Sequence, residues 1–168
     1  MPFDKNEWPM HSAQVDKDAM TEADLKALHE PYFTAMDAYV RGINAKAGRQ
    51  ELFVVPVGQA VIALRARIIS GTVPGIAKQS DLFSDPTGHP LPPLQALAAY
   101  CHFAVIYRRS PVGLPLPSVL SGPARNFAGN YIEVPGKAGW DDRLNQLLQE
   151  LAWAAVTSHP LSGVTATK

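Results

Sequence analysis

Apolar residues recur at helical spacing along most of this 168-residue chain, and the first such stretch begins at Thr21. Thr21 and Asp24 are spaced like a capping box, in which the threonine hydroxyl accepts a backbone N–H and the acid lies near the positive helix end. Pro31 is expected to divide this helix, because proline cannot donate to the helical hydrogen-bond ladder. Gly48 is a natural stop at its C-terminal end.

Three further stretches have the same periodicity, namely 57–70, 92–107 and 141–158. Gly71 follows the first of them, and Pro92 suits the opening turn of the second. The third has a clean apolar stripe and ends before Pro160. The pattern thus predicts four or five amphipathic helices.

One segment, 51–55, reads as a β-strand, since it is short, apolar and β-branched and ends at Pro56. A continuous apolar run of this kind suits a strand that is buried on both faces of a parallel sheet. Such a strand needs partners for its backbone groups. The weak stretch 130–134 could add an edge strand but not a sheet, so the other strands are expected upstream in a longer protein or in a partner chain.

The chain is therefore interpreted as a single partial domain covering 1–168. It has an irregular lead-in at 1–20, then helices, one strand and a polar loop over 21–158, and a loose tail at 159–168.

Composition excludes several classes of function. Lys plus Arg and Asp plus Glu both total 15, so no basic excess favours nucleic acid or an anionic membrane as partner. The lone Cys101 allows neither an intramolecular disulfide nor a CxxC motif. Residues 1–9 are polar and form no secretory signal, and no apolar run is long enough for a transmembrane helix. No cofactor or metal is expected, and the compartment stays unknown.

The segment with the clearest chemistry is the loop 72–90, which is rich in Pro, Gly, Ser and Asp. Within it Asp85 and His89 can form a carboxylate–imidazole pair. The histidine would act as general base toward a serine, and the carboxylate would orient its ring. A loop beside the C-terminal edge of a sheet is also where open α/β folds place ligands.

These residues resemble the closing block of the SGNH (GDSL-like) hydrolases, which reads Asp-x-x-His followed by an apolar helix. The order of strand, Val-Pro-Val-Gly turn at 55–58, helix, Asp/His loop and helix is similar, and 94–117 resembles the helix and exit loop of bacterial members. The resemblance implies the C-terminal portion of an α/β, flavodoxin-like three-layer sandwich. It implies an ester substrate, a small molecule or an acylated carbohydrate, with His89 as base and Asp85 as its orienting acid.

The chain departs from that family in two ways. The spacing is Asp-x-x-x-His, one residue longer than usual, which makes Asp81 a conceivable substitute for Asp85. The family's nucleophile block and oxyanion-hole blocks are not found. Because such groups act as a unit, the chain is expected to be inactive without a missing N-terminal half.

Simpler interpretations stand beside the catalytic one. Asp85 could cap a polar turn, and Asp81 is favoured as a cap or a solvated acid. Cys101 and His102 are expected in a helix as core and satisfied residues, and Ser121 as a loop serine. The isolated tryptophans suit core or anchor roles better than sugar stacking, and they are Trp8, Trp140 and Trp153.

Two further alternatives concern function. A metal site could be imagined from scattered acid and imidazole groups, but no ligand spacing supports it; those groups are Asp85, His89, His102 and His159. The chain could also be a non-catalytic interaction or structural subunit that folds with a partner.

Overall fold

The computed structural model describes residues 16–126 and 128–166 and is mostly helical. The helices are α1 (Glu22–Ala47), α2 (Val57–Ile69), α3 (Pro92–Tyr107), a single-turn α4 (Ser118–Ser121) and α5 (Asp142–Ser158), with 3₁₀ turns at Gln79–Leu82 and Lys137–Gly139. Within these ranges no strand forms, and β-type pairing is limited to two isolated bridges, Phe83 with Pro90 and Arg125 with Tyr131.

The core lies where α2, α3 and α5 pack together. Leu64, Leu97 and Leu148 supply one fully buried side chain from each of these helices. Burying a leucine contributes about 1.5–3 kcal/mol relative to leaving it exposed, so these contacts hold the three helices together. The long connection between α3 and α5 covers one end of the core, to which it adds Leu120 and Trp140.

A buried polar network ties that connection to the helices. The Tyr100 hydroxyl of α3 donates to Asn145 Oδ1 of α5 at 2.5 Å. The side-chain amides of Asn145 and Gln149 both donate to the Leu114 carbonyl, and Gln149 accepts from the Gly113 N–H. Buried polar groups that are satisfied in this way fix the connection in one arrangement.

α1 begins and ends as predicted. The Thr21 hydroxyl accepts from the Asp24 N–H, the Asp24 carboxylate accepts from the Thr21 N–H, and Gly48 closes the helix with a φ of 68°. The predicted division at Pro31 is wrong, because α1 continues through it. Both Pro31 and Ala27, whose carbonyl loses its helical donor, lie on the exposed side, where water can replace the missing bond.

The expected α/β SGNH-like three-layer sandwich is wrong, since the described residues contain no sheet at all. The segment 51–55 gets its backbone partners elsewhere: Asn44 Oδ1 accepts the N–H groups of Glu51 and Leu52, both at 2.9 Å, and the Val54 N–H donates to the Leu161 carbonyl at 2.9 Å. A side chain of α1 and the C-terminal segment thus replace the neighbouring strands.

The exposure of this segment also contradicts a strand buried on both faces. Leu52 and Phe53 are 41% and 39% exposed, and only the residues after them are half-buried. The suggested edge strand at 130–134 amounts to the single bridge at Tyr131.

The tail predicted to be loose is packed as far as it is described. Leu161, Ser162 and Val164 are all buried, and Ser162 exchanges hydrogen bonds with Val164. Of the sequence interpretations, those on 1–15, including Trp8, and on 167–168 lie outside the described residues.

Candidate functional site

The Asp/His loop is a short hairpin-like turn that precedes α3. Phe83 bridges Pro90, and the Ser84 N–H donates to the His89 carbonyl at 2.9 Å. Gly88 sits at the tip with a φ of 97°, a conformation that favours glycine. The turn therefore brings the side chains of its two sides together.

Asp85 is the hub of this turn. Its Oδ2 lies 2.6 Å from His89 Nδ1, and its Oδ1 accepts from the Thr87 hydroxyl at 2.5 Å and from the Gly88 N–H at 3.0 Å. Hydrogen bonding, from the Thr87 hydroxyl above all and then from His89 and Ser84, holds the pKa of the Asp85 carboxyl well below its usual range. The predicted carboxylate–imidazole pair thus forms in the structure.

A serine that could use this pair is not among the hydroxyls of the turn. In a triad the nucleophile bonds to the imidazole nitrogen that does not face the acid, which here is Nε2. Ser84 donates to Asp85 and to the His89 carbonyl, and the Thr87 hydroxyl lies on Asp85 and Nδ1. Both hydroxyls therefore fasten the turn, as the simpler interpretation of Asp85 as a local cap predicted.

The other sequence candidates are scattered. Asp81 caps its 3₁₀ turn by accepting the Lys78 N–H, and Cys101 is buried in the core, where burial raises the pKa of its thiol to about 12. His102 lies exposed on α3 with Nδ1 2.8 Å from the Ala98 carbonyl. Ser121 ends the short α4, where its hydroxyl donates to the Pro117 carbonyl at 3.5 Å. This position does not resemble the strand-to-helix turn that carries a nucleophile.

The remaining candidates concern a metal site and sugar stacking by tryptophan. In the part of the chain that the structure describes, no three His, Cys, Asp or Glu side chains form a group that could hold a metal ion. Trp140 is buried in the core, with Lys137 Nζ 5.1 Å above its ring, and Trp153 packs half-buried against the core. Both tryptophans have the core roles that were expected.

Sequence reasoning missed a second Asp–His pair. His159, just after α5, is 8% exposed on its side chain and places Nε2 3.3 Å from Asp37 Oδ1 of α1. Its Nδ1 accepts the Leu161 N–H at 3.2 Å, so the ring is neutral with its proton on Nε2. Burial lowers the pKa of His159, and Arg41 adds to this effect against the attraction of Asp37. The residues are too far apart in sequence for any motif to join them.

A groove between α1 and α2 was also missed. Phe33 of α1 rests over Gly58 of α2, and cavities of about 490 Å³ and 410 Å³ open on its two sides. The smaller cavity contains Arg65, which is only 7% exposed. A signal existed in the sequence, because Arg65 follows Val61 and Ile62 at helical spacing and so shares their apolar face.

The outer face of α3 is the third feature. The helix carries no Asp, Glu, Lys or Arg, and its buried side faces α2 and α5. Its outer side carries the exposed polar residues Gln95 and His102 but is apolar at the C-terminal end: Ile106 and Tyr107 are 67% and 63% exposed, and the rings of Phe103 and Tyr107 pack 5.0 Å apart. Arg108 and Arg109 follow directly.

Comparison with known proteins finds no family model, no curated protein and no solved structure that matches this chain. Among the helices that the described ranges contain, none is both long enough and apolar enough to cross a bilayer.

Proposed function

We propose that this protein is a non-catalytic interaction module whose docking surface is the outer face of α3. We call this surface the α3 patch and define it by Phe103, Ile106, Tyr107, Arg108 and Arg109. The observation that carries the proposal is the exposure of large apolar side chains on a helix that has no charged residue along its length. Large apolar side chains that lie exposed next to one another mark a surface where another molecule binds.

The composition of the α3 patch supports binding to a protein. Aromatic residues and arginine are enriched where partners bind and dominate binding energy there. The Arg108 guanidinium is held 5.5 Å above the Phe53 ring, and Arg108 has a φ of 52°, a strained conformation for a residue other than glycine. The end of α3 is thus held in one shape, which lowers the entropy lost on binding.

Charge identifies the occupant. Between Asp85 and Glu133 the sequence has no acidic residue, so the two arginines of the α3 patch meet no carboxylate from α3 or from the loops that flank it. A complementary partner is an amphipathic helical segment with apolar residues along one face and acidic residues beside them. Anionic membranes are a poorer match, since they typically attract clusters of four or more basic residues.

The test uses the purified full chain and a fluorescein-labelled amphipathic peptide. The peptide has Leu and Phe at i, i+3, i+4 and i+7 and Glu at the flanking positions, and its twin has Lys in place of Glu. Fluorescence anisotropy should give about tenfold tighter binding for the Glu peptide than for the Lys peptide. Ile106→Ser should weaken binding of the Glu peptide by about tenfold, the range of an interface hot spot.

Ile69→Ser is the matched control, because Ile69 is 48% exposed at the end of α2, beside Met20 and Lys78 rather than on α3. This variant should bind the Glu peptide like the parent chain, and Arg109→Glu should shift the preference toward the Lys peptide. Equal affinity for both peptides, or binding that Ile106→Ser leaves unchanged, overturns the proposal. Self-association that Ile106→Ser abolishes in sedimentation, or binding to anionic vesicles without binding to the peptide, also overturns it by assigning the α3 patch to another occupant.

A further inference from the structure

Arg65 of α2 is a buried cation that lacks an acidic partner. Its Nε donates to Gln79 Oε1 at 2.7 Å, and its Nη2 contacts the Lys17 carbonyl at 3.2 Å and Met20 Sδ at 3.9 Å. No carboxylate of residues 16–126 or 128–166 lies within ion-pair distance of it. A guanidinium has five N–H donors, and these contacts use at most three of them.

The nearest acid does not complete this environment. Asp18 acts on Arg65 through its charge but accepts hydrogen bonds from Ser80, from the N–H at 2.8 Å and the hydroxyl at 2.7 Å. Buried charges in proteins are normally paired, because desolvating an unpaired ion is expensive. Arg65 is therefore the cation of an ion pair whose anion is not supplied by the described residues.

Arg65 also lines a cavity of the right size for a small molecule. We call it the Arg65 cavity; its volume is about 410 Å³, within the range of about 300–1,000 Å³ that ligand pockets occupy. Phe33, Val61 and Ile62 give it apolar walls, and the rings of His29 and Tyr32 complete it. An apolar cavity with one convergent charged group is the usual form of a site for an amphipathic ligand.

The charges around the Arg65 cavity favour a ligand with a single negative charge. Burial and the nearby Arg65 both lower the pKa of His29, which disfavours a second positive charge beside Arg65. The neighbouring cavity on the other side of Phe33 is lined by Glu22, Lys26 and Glu30. Lys26 pairs with Glu22 at 2.5 Å, so Glu30 leaves one net negative charge there, which disfavours a second negative group on the ligand. The two N–H donors left on Nη1 of Arg65 can pair with one carboxylate, and aromatic walls match a flat apolar body.

We infer that the Arg65 cavity binds a small aromatic monocarboxylate, whose carboxylate pairs with Arg65 and whose ring lies against Phe33, Val61 and Ile62. This site is separate from the α3 patch, so either proposal can fail without the other. The ligand's carboxylate would complete the ion pair that the described part of the chain leaves open.

The probe is 1-naphthoate, and its neutral counterpart is 1-naphthalenemethanol, which has the same rings without the charge. Isothermal titration with the full chain should show naphthoate binding about tenfold more tightly, the gain expected from one charge-assisted pair. Chemical-shift changes in the ¹⁵N-labelled chain should map to α2 and to the middle of α1. Equal affinity for the two compounds, no binding of naphthoate, or shifts confined to other regions overturns the inference.

Arg65→Gln should reduce naphthoate affinity to that of the alcohol, and Arg67→Gln is the matched control, because Arg67 is an exposed arginine on the same helix. Since Arg65 also holds Gln79, Arg65→Gln could unfold the chain. In that case Val61→Trp is the deciding variant, because the larger side chain fills the Arg65 cavity and leaves the hydrogen bonds of Arg65 in place. Naphthoate binding that survives Val61→Trp, or that Arg67→Gln reduces equally, overturns the inference.

Discussion

The described residues include two Asp–His pairs that consist of the same residue types but lie in different surroundings. Asp85 and His89 are four residues apart on one turn, and their side chains are 31% and 38% exposed. Asp37 and His159 come from α1 and from the segment after α5, and their side chains are 20% and 8% exposed. The pair that the sequence reveals is about one-third exposed to water, and the pair that the fold assembles is more strongly shielded from it.

This difference determines what each pair contributes. The hydrogen bonds of Asp85 stay within the turn 84–89, so they shape that turn and little else. His159 accepts from Leu161, whose carbonyl accepts from Val54 and from the Gln50 side chain. The shielded pair therefore connects α1, the segment 50–54 and the C-terminal end, and its loss should affect the whole fold.

The largest effect should come from His159→Ala. This change removes a buried ring, leaves the Leu161 N–H without its acceptor and should lower the free energy of unfolding by about 1–3 kcal/mol. His89→Ala is the matched control, and its urea midpoint should stay close to that of the parent chain, because exposed pairs contribute little. Urea unfolding followed by circular dichroism measures both. Equal losses in the two variants would contradict the contrast between the pairs.

A smaller effect should be a difference in the pH range over which each pair loses its contribution to the free energy of unfolding. Because burial lowers the pKa of His159 from its ordinary 6.5, the unfolded chain takes up this proton at a higher pH than the folded chain. The contribution of His159 is therefore fully present above pH 6.5 and is lost as the pH falls toward the lower folded-state pKa. Asp85 behaves differently: hydrogen bonds lower its pKa from 3.8, so its contribution is present above 3.8 and disappears below it.

Urea midpoints measured from about pH 7.5 down to about pH 3 test this separation. His159→Gln keeps a polar side chain that does not titrate, so it should flatten the decline below pH 6.5. Asp85→Asn should change the profile only at the acid end. A decline below pH 6.5 that His159→Gln leaves intact would show that another group titrates there.

The helices could be predicted from the sequence because their signals are local. The Thr21 capping box, the Gly48 stop and the prolines that open α3 all act over one or two turns, and the structure confirms them. The prediction of a sheet was wrong for a physical reason. An apolar run reports that backbone groups need partners but not which ones, and Asn44 and Leu161 supply them here.

The contacts at the candidate sites also differ in whether they are local in the sequence. The contact between Asp85 and His89 was predictable because four residues of turn bring the two side chains together. Arg65 and His159 could not be paired with Gln79 and Asp37 from sequence, since their contacts depend on how the helices pack. The resemblance to SGNH hydrolases covered the local block and implied a sandwich that residues 16–126 and 128–166 do not form.

The smallest effect concerns hydrolysis, where the exposed Asp85–His89 pair should do no more than an imidazole in solution. Ser84 and Thr87 bond to the acid side of the pair, so neither hydroxyl of the turn serves as its nucleophile, and an Asp–His pair that acts without a nucleophile loses most of its catalytic power. Hydrolysis of p-nitrophenyl acetate by the chain should not exceed that by free imidazole at matched concentration. His102→Ala is the control, because His102 is an exposed histidine bonded only to a helix carbonyl. A rate well above imidazole that His89→Ala abolishes and His102→Ala preserves would mean that a nucleophile reaches the turn, and the exposed pair would then be the functional one.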